Sequence, residues 1–329
     1  MACRIGIVPD LHARLLNPSS RKDNYYEAMI NKLEFILQNC DVVVQLGDFF
    51  DKPRTEDVVK NRVLGLFNQY KKPIYIVPGN HDIEKDQVDT LSSTSLGNLA
   101  YHNAVTILTP DRIWTIGGIK FGVLDYYIEK AKAQSFDERI DVLVGHHFFE
   151  WGRDPKVSIE TTDLYKYNAK YLFLGHDHQP WEDKIFMFDK DNQAYQTCPE
   201  TLAKFDKDEK PNTTTVIRRG SVMRKDLAAY SESHQPQFTV ISTDNGKIFD
   251  IEHVDIPCTP FKYAFFYEEK KTFKKCAKLV SDIKSFLEGM DLQAKRKESM
   301  RTILNDQLKA PKEVVEYLDL IHRVNHLQF

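Results

Sequence analysis

The chain has 329 residues and a mass of 38.3 kDa, which predicts one large α/β core with a further unit appended. Its 42% hydrophobic and 28% charged residues, with only 14 Gly and 14 Pro, exclude collagen-like, mucin-like and wholly disordered proteins. A net charge of −3 and a pI near 6.4 give no overall electrostatic preference for nucleic acid. Any polyanion therefore has to be bound by a local surface.

Hydropathy and cysteine usage both indicate a cytoplasmic protein. The mean hydropathy is −0.46, and no apolar run approaches the length of a membrane span. The first residues are too polar for a signal peptide. The 5 cysteines are odd in number, widely spaced and without a CxxC pair, which predicts reduced thiols. We expect no contact with a membrane.

Five short apolar runs rich in β-branched residues predict strands that are buried on both faces. These runs are residues 3–8, 42–46, 73–77, 142–145 and 171–174. Residues 25–37 and 56–70 carry apolar side chains at three- and four-residue spacing, which predicts amphipathic helices. Strands that alternate with helices are typical of an α/β fold.

The pattern changes twice after the last of these strands. Residues 182–254 alternate apolar and polar side chains between turn signals, which predicts β-rich structure. Beyond Pro260 the chain predicts helices at 271–288, 298–308 and 312–327. The predicted organisation is therefore a core over residues 1–200, a β-rich continuation or cap over 201–256, and a mainly helical segment over 257–329.

A cluster of polar residues follows each of the five predicted strands. In chain order the clusters are Asp10-x-His12, Gly47-Asp48, Gly79-Asn80-His81-Asp82, Gly145-His146-His147 and Gly175-His176-Asp177-His178. Because the carboxyl ends of strands in an open α/β sheet lie along one edge, these clusters are expected to converge on a single site. Any one of them alone is explained as well by a turn or a packed histidine; five together are not.

Carboxylate, amide and imidazole groups without a thiolate suit Mn, Fe or Zn better than Ca or Mg. Seven potential ligands exceed one tetrahedral shell, and two cations roughly 3.5–4 Å apart, bridged by Asp48, account for the surplus. Such a pair lowers the pKa of bound water and neutralises phosphoryl oxygens. The clusters therefore predict hydrolysis of phosphate esters.

The five clusters resemble, in order, the DxH, GD, GNH[DE], GH and GHxH motifs of the calcineurin-like metallophosphoesterase superfamily. The GDFFDKPR stretch at 47–54, the GNHD motif and Gly220-Ser221 also resemble SbcD-type nuclease subunits of recombination and repair. The resemblance implies the metallophosphoesterase fold, a β-sheet sandwich flanked by helices. It also implies a nuclease that hydrolyses DNA phosphodiesters with two divalent metal ions, with Mn first and Mg, Fe or Zn as alternatives.

The same resemblance implies roles for individual residues. Asp10, His12, Asp48 and His178 would hold one ion, whereas Asp48, Asn80, His146 and His176 would hold the other. His81 would contact the scissile phosphate, and Asp82 would orient its ring. Residues near the motifs that could contact substrate, or belong to ordinary surface, are Arg14, Lys52, Arg54, Arg153, Lys156, Arg218, Arg219, Ser221 and Arg224.

Two features remain open on the sequence alone. Phe148, Phe149 and Trp151 predict either core packing or stacking against bases. His147 and Asp177 neighbour the implied ligands without matching a ligand position, which favours supporting or surface roles.

The expected partners are DNA, a second copy of the chain and an ATPase. The chain has no GxxxxGK[ST] segment, so any ATP dependence has to come from outside. SbcD-type subunits clasp a coiled-coil ABC ATPase of the SbcC type through a C-terminal helical element. Here the segment 257–329 has the matching position, and it carries an apolar stripe of Val314, Leu318, Ile321 and Val324. The alternative is a helical cap packed on the core.

Two other functions are compatible with the same motifs. A small-molecule phosphodiesterase or nucleotidase would use the same metals, and a closed aromatic nucleotide pocket would favour it over an open groove with Arg and Lys. A catalytically silent scaffold is disfavoured because the ligand set is complete.

Overall fold

Two β-sheets packed face to face form the centre of the computed structural model, which describes residues 2–150, 155–205, 212–225 and 229–266. The strands are β1 Cys3–Val8, β2 Val42–Gln45, β3 Ile74–Ile76, β4 Thr106–Ile107, β5 Trp114–Ile116, β6 Ile119–Val123, β7 Ile140–His146, β8 Phe148–Phe149, β9 Ser158–Ile159, β10 Ala169–Gly175, β11 Lys184–Phe188, β12 Ala194–Thr197, β13 Thr213–Ile217, β14 Gln237–Asp244 and β15 Lys247–Asp255. The α-helices are α1 Tyr25–Asn39, α2 Asp57–Tyr70, α3 Ser95–Tyr101, α4 Ile128–Ala133, α5 Leu164–Tyr167, α6 Pro199–Leu202 and α7 Phe261–Ala264. Short 3₁₀ helices lie at Val88–Ser93, Pro155–Val157, Thr161–Asp163 and Ala229–Ser231.

The central strands of both sheets are parallel. The first sheet has the order β15-β14-β1-β2-β3-β4, and its strands β1 to β4 run parallel. The second sheet has the order β12-β11-β13-β10-β7-β6-β5, in which β6, β7, β10 and β13 run parallel. Antiparallel strands complete the edges, with β14 and β15 in the first sheet and β11, β12 and β5 in the second. Strands β8 and β9 pair separately.

Buried apolar side chains hold the layers together. Ile7 and Val44 of the first sheet share one core with Val144 and Phe173 of the second. On the outer faces, α1 and α2 pack on the first sheet, and α5 packs on the second. Full burial of one such side chain contributes about 1.5–3 kcal/mol. The result is the helix-flanked β-sandwich that the resemblance implies.

Helix α1 shows how local sequence sets an element. The Asn24 side chain accepts a hydrogen bond from the Glu27 backbone N–H at 3.1 Å, which caps the helix N-terminus. Met29, Leu33 and Ile36 then recur at helical spacing and are buried against the sheet. The predicted amphipathic helix is confirmed for that reason.

The five predicted strands and the two predicted helices are confirmed. The predicted β-rich stretch 182–254 is also confirmed, with β11 to β13 in the second sheet and β14 and β15 in the first. A compact unit ends at Phe265. The boundaries at residues 200 and 256 stay predictions. The helices predicted at 271–288, 298–308 and 312–327 lie outside the described residues.

Composition also predicted a chain without a membrane span and with reduced cysteines. Within the described ranges, none of the helices combines the length and the apolar character needed to cross a membrane. Cys3, Cys40, Cys198 and Cys258 are free thiols, and Cys276 lies outside the described residues.

We predict that the buried Lys32 makes stability depend on pH. Its Nζ donates to the Val222 carbonyl at 2.6 Å, and burial, with help from nearby guanidinium groups, lowers the pKa of Lys32 from 10.5 to about 7. Between these values the unfolded chain binds the proton that the folded chain has released, so the unfolding free energy rises with pH. The contribution is at most about 1.4 kcal/mol per pH unit.

Urea unfolding at pH 7, 8 and 9 tests this prediction. The Lys32→Met variant should lose part of the rise that the wild type shows. Lys60→Met is the control, because Lys60 is partly exposed and pairs with the exposed Asp57 at 2.7 Å. Equal pH slopes for wild type and Lys32→Met would contradict the prediction.

Candidate metal centre

The predicted polar clusters meet where the carboxyl ends of parallel strands from both sheets come together. Asp10 and Asp48 follow β1 and β2, whereas His146 and His176 lie at the ends of β7 and β10. The Asp10 carboxylate accepts a hydrogen bond from the His176 backbone N–H at 3.1 Å and lies 3.6 Å from His146 Nδ1. This contact joins the two sheets.

A first group of donor atoms comes from Asp10, His12, Asp48 and His178, all within 4.8 Å of one another. His12 Nε2 lies 2.8 Å from His178 Nε2 and 3.7 Å from Asp48 Oδ2. His178 Nε2 is 3.6 Å from Asp10 Oδ2. These are the residues that the resemblance implies for one ion.

A second group comes from Asp48, His146 and His176, with Asn80 beside it. His146 Nε2 lies 3.4 Å from Asp48 Oδ1, 3.2 Å from Asn80 Oδ1 and 3.2 Å from His176 Nδ1. The two groups share only Asp48, whose two carboxylate oxygens face different groups. The grouping matches the implied one, and the donor set of oxygen and nitrogen fits divalent transition metals. The role of each residue as a ligand stays a prediction.

The backbone at this site is held in a sparsely populated conformation. His12, Asp48 and His176 have φ values of 50°, 53° and 85°, in the left-handed region that such residues rarely adopt. Strain of this kind persists only where the surrounding structure fixes it, and it concentrates at functional sites. Gly79 is required by close approach, because a Cβ there would lie 2.2 Å from Asp48 Oδ1.

Burial and mutual charge set the protonation of the centre. Burial raises the pKa of Asp10 to about 7, while it lowers the pKa of His176 to about 3 and that of His12 well below its ordinary value. Burial would also raise the pKa of Asp48, but His146 and His12 hold it below its ordinary range. Burial alone would lower the pKa of His146, but the Asp48 and Asp10 carboxylates raise it to about 9. Neutral imidazoles and ionised carboxylates are the protonation states that bind a cation, so binding would displace the proton that His146 otherwise keeps.

The His81 ring has a partner different from the one expected. Its Nδ1 donates to the Asp51 backbone carbonyl at 2.8 Å, and its Nε2 lies 4.0 Å from Asp48 Oδ2. The side chain is 36% exposed, so substrate can reach it. A carbonyl at Nδ1 leaves Nε2 as the nitrogen available for proton transfer.

Asp82 ties two loops together instead of orienting the His81 ring. Its buried carboxylate accepts backbone N–H groups of Phe49 at 3.2 Å, Phe50 at 3.0 Å and Gly79 at 3.0 Å. The loops after β2 and β3 are thereby joined around Asp48. Burial raises the pKa of Asp82 to about 7.

Asp51 is a residue of the site that the sequence reasoning did not single out. Its Oδ1 lies 3.5 Å from His12 Nδ1, and with His12 and His81 it forms a third group of potential metal donors. The signal was available, because Asp51 closes the GDFFD stretch that begins with Gly47.

Several residues expected to contact substrate have protein partners. Arg218 is buried, pairs with Asp177 at 2.9 Å, and lies 3.9 Å from the centre of the Trp181 ring. Arg219 bonds to Asp183 and to the Trp181 carbonyl. Ser221, also buried, donates to the Met223 carbonyl at 2.8 Å, and Arg224 donates to the Thr259 carbonyl. Their contacts with substrate stay predictions.

The other predicted cations lie nearer to solvent. Arg14 pairs with Asp51 at 2.9 Å, and Arg54 pairs with Glu84 at 2.8 Å. Lys52 and Lys156 are exposed, whereas Arg153 lies outside the described residues.

The aromatic cluster divides between the two expected roles. Phe149 is fully buried against Trp181 and Phe186, as core packing predicts. Phe148 is half-buried, with its ring centre 4.1 Å from that of His176. Trp151 lies outside the described residues. His147 is buried and bonds to the Asp125 carbonyl at 2.7 Å, which is a supporting position.

A cavity of about 390 Å³ opens beside the second donor group. Asn80, His146, His176, Phe148, Tyr126 and Tyr127 line it, together with the carboxylates Asp86 and Glu129. A neighbouring opening of about 510 Å³ shares Ile128 and Glu129 with this cavity and also contacts Lys132 and Lys156. The sequence reasoning did not single out the two tyrosines, which follow a strand without a motif.

The fold and the paired donor groups are those of a metallophosphoesterase, a metal-dependent hydrolase. The family of calcineurin-like phosphoesterases matches residues 3–180, so the chain belongs to that family.

Individual relatives are more distant. The chain is similar to the DNA double-strand break repair protein Mre11 of Methanococcus maripaludis, with 26% identity over an alignment of 182 residues that covers 50% of this chain and 48% of that protein. It thus spans about half the length of that relative. The solved 5′-nucleotidase precursor from Thermus thermophilus matches with 10% identity and a TM-score of 0.39, covering 85% of this chain and 59% of the other.

We predict that the wild-type protein binds two Mn²⁺ ions per chain and that Asp48→Asn binds them at least tenfold more weakly, because a single neutral amide replaces the shared carboxylate. Isothermal titration after treatment with a chelator measures both values. Asp57→Asn is the control, since Asp57 is a largely exposed carboxylate on α2. Unchanged affinity in Asp48→Asn would contradict the shared position.

Proposed function

We propose that this protein is a nuclease that hydrolyses DNA phosphodiester bonds with two divalent cations, manganese first among them, as an SbcD-like exonuclease or endonuclease subunit in recombination, repair or end processing. The observation that carries the proposal is the division of donor atoms into two groups that share Asp48, with His81 beside them. This arrangement suits in-line displacement at phosphorus.

The residues of the chain divide the work of the reaction. Asp48 would contribute to both ion sites, because its two carboxylate oxygens face the two donor groups. Two divalent cations held there would supply neutralisation of phosphoryl oxygens and a water acidic enough to react at neutral pH. His81 keeps its Nδ1 on the Asp51 carbonyl and presents Nε2 to the leaving oxygen, to which its protonated form gives a proton.

Three features support DNA as the substrate. The GDFFDKPR stretch and the GNHD motif resemble SbcD-type nucleases, and the similar Mre11 protein is named for repair of DNA breaks. The cavity beside the centre shares Ile128 and Glu129 with an opening that Lys132 and Lys156 also line, and such ammonium groups suit the phosphates of a nucleic-acid strand. Phosphate contacts carry no sequence information, so low sequence specificity is expected.

The alternative is a small-molecule phosphodiesterase or nucleotidase. The observation that favours it is the cavity with Tyr126, Tyr127 and Phe148, whose rings can stack on a single base. Assays with a DNA oligonucleotide and with nucleoside monophosphates separate the two functions. Hydrolysis of the monophosphates alone would establish the alternative.

We predict that His81→Ala lowers the rate of Mn²⁺-dependent oligonucleotide hydrolysis roughly 100-fold or more while both cations still bind. Release of nucleotides from labelled linear and hairpin DNA measures the rate, and titration calorimetry measures binding. His102→Ala is the control, because His102 is an exposed histidine at the end of α3. A wild-type rate in His81→Ala would show that His81 takes no part in the reaction.

We also propose that the protein acts in the cytoplasm as a homodimer with a coiled-coil ABC ATPase of the SbcC type. The support for the ATPase is the apolar stripe that the sequence predicts at Val314, Leu318, Ile321 and Val324, in a C-terminal segment outside the described residues. The homodimer rests on the resemblance to SbcD-type subunits, and the cytoplasmic location rests on cysteine usage and mean hydropathy.

The corresponding prediction is that Leu318→Asp combined with Ile321→Asp abolishes co-purification with this ATPase, because two charges replace apolar contacts in the stripe. Hydrolysis of bis(p-nitrophenyl) phosphate by the same preparation reports that the metal centre is intact. Asp319→Ala is the control on the polar side of the stripe. Undiminished co-purification would contradict the proposal and favour the alternative, in which the C-terminal segment is a helical cap packed on the core.

A further inference from the structure

The buried carboxylate of Asp51 holds two cations from distant parts of the chain. Arg14 Nη1 lies 2.9 Å from Oδ2, and Lys225 Nζ lies 2.6 Å from Oδ1. Arg14 comes from the loop after β1, whereas Lys225 follows the Gly220-Ser221 segment. The side chain of Asp51 is 6% exposed, but those of Arg14 and Lys225 are 23% and 24% exposed. We call these three residues the Asp51 cluster.

The Asp51 cluster adjoins two histidines of the metal centre. Asp51 contacts His12 through its carboxylate, at 3.5 Å, and holds His81 through its carbonyl, at 2.8 Å. His81 is the group proposed to meet the leaving oxygen. The carboxylate partner that Arg14 and Lys225 share is therefore a residue that contacts both His12 and His81.

The Asp51 cluster carries more positive than negative charge. Among the described residues, Asp51 is the only carboxylate within ion-pair distance of Arg14 or of Lys225. Asp48 is shared between the donor groups, and Asp82 accepts three backbone N–H groups, so neither balances the second cation.

Both cations retain donors for a ligand. Arg14 uses Nη1 for Asp51 and Nε for the Leu16 carbonyl at 2.7 Å, and within the described ranges its Nη2 has no hydrogen-bond partner. Lys225 has three donors at Nζ, and in the same ranges it has one ion-pair partner. Neutralising Asp51 alone would require only one cation.

We propose that Arg14 and Lys225, positioned by Asp51, bind the phosphate next to the scissile one in a nucleic-acid strand. A strand carries a phosphate at every nucleotide, and guanidinium and ammonium groups are the side chains that bind it. A nucleoside monophosphate or a simple diester has only one phosphate, so it offers no neighbouring phosphate for Arg14 and Lys225 to bind. The subsite therefore selects strands over small phosphoesters, and the inference rests on the proposed nuclease function.

The experiment compares a single-stranded DNA oligonucleotide with bis(p-nitrophenyl) phosphate, a diester with one phosphate. For Lys225→Met we expect kcat/KM on the oligonucleotide to fall about tenfold more than on the small diester, mainly through KM. The slope of log KM against log salt concentration should fall by roughly 0.7, the value for one lost phosphate contact on a single strand. Lys225→Arg should keep most of the slope.

Lys60→Met is the matched control, because Lys60 has a side-chain exposure of 22% and an ion pair of 2.7 Å with Asp57 of its own helix, not with a residue of the centre. It should keep the wild-type selectivity and salt slope. Arg14→Met is a second variant with the same expected changes, and thermal unfolding identifies any variant that fails to fold.

Two results would overturn the subsite. Equal losses on both substrates, or an unchanged salt slope in both Lys225→Met and Arg14→Met, would mean that the Arg14 and Lys225 side chains only support Asp51. A wild-type protein that hydrolyses the small diester but no oligonucleotide would overturn the proposed function together with the subsite. The two failures are distinguishable, because the first requires an active wild-type nuclease.

Discussion

One buried carboxylate organises the site. Asp48 is almost fully buried, and its two oxygens face two different groups of donor atoms. Its Oδ1 also accepts the His81 backbone N–H at 2.8 Å, so the same side chain fixes the GNHD loop. A charge in this environment is stable only with opposite charge or strong hydrogen bonds around it, and the surrounding histidines partly supply them. The divalent cations of the family would complete that compensation.

The fold serves this interaction by bringing the ends of two sheets together. Each sheet alone presents only part of the donor set, and the apolar core between the sheets holds the parts in register. Asp10 bridges the sheets through His176 and His146, while Asp82 ties the loops after β2 and β3. Apolar packing thus sets the positions of the strand ends, and hydrogen bonds from backbone N–H groups to Asp10 and Asp82 fix the loops that carry the donor atoms.

Sequence reasoning predicted the sheets, the flanking helices and the convergence of the five clusters, because each cluster directly follows a buried strand and that relation is local. It missed Asp51 and Lys225, whose contact joins segments far apart in the chain and has no spacing to reveal it. It also did not reveal that Arg218, a candidate for substrate contact, is buried against Asp177 and Trp181, and that contact with substrate stays a prediction. A charged residue near a motif is exposed or buried according to tertiary contacts that composition does not record.

The left-handed backbone at His12, Asp48 and His176 has a consequence for the stability of the fold. Each residue held in this region costs on the order of 1–3 kcal/mol, and the packing of the surrounding sandwich has to compensate for it. Part of the stability that the apolar core supplies is therefore offset by the conformation that places the donor atoms together.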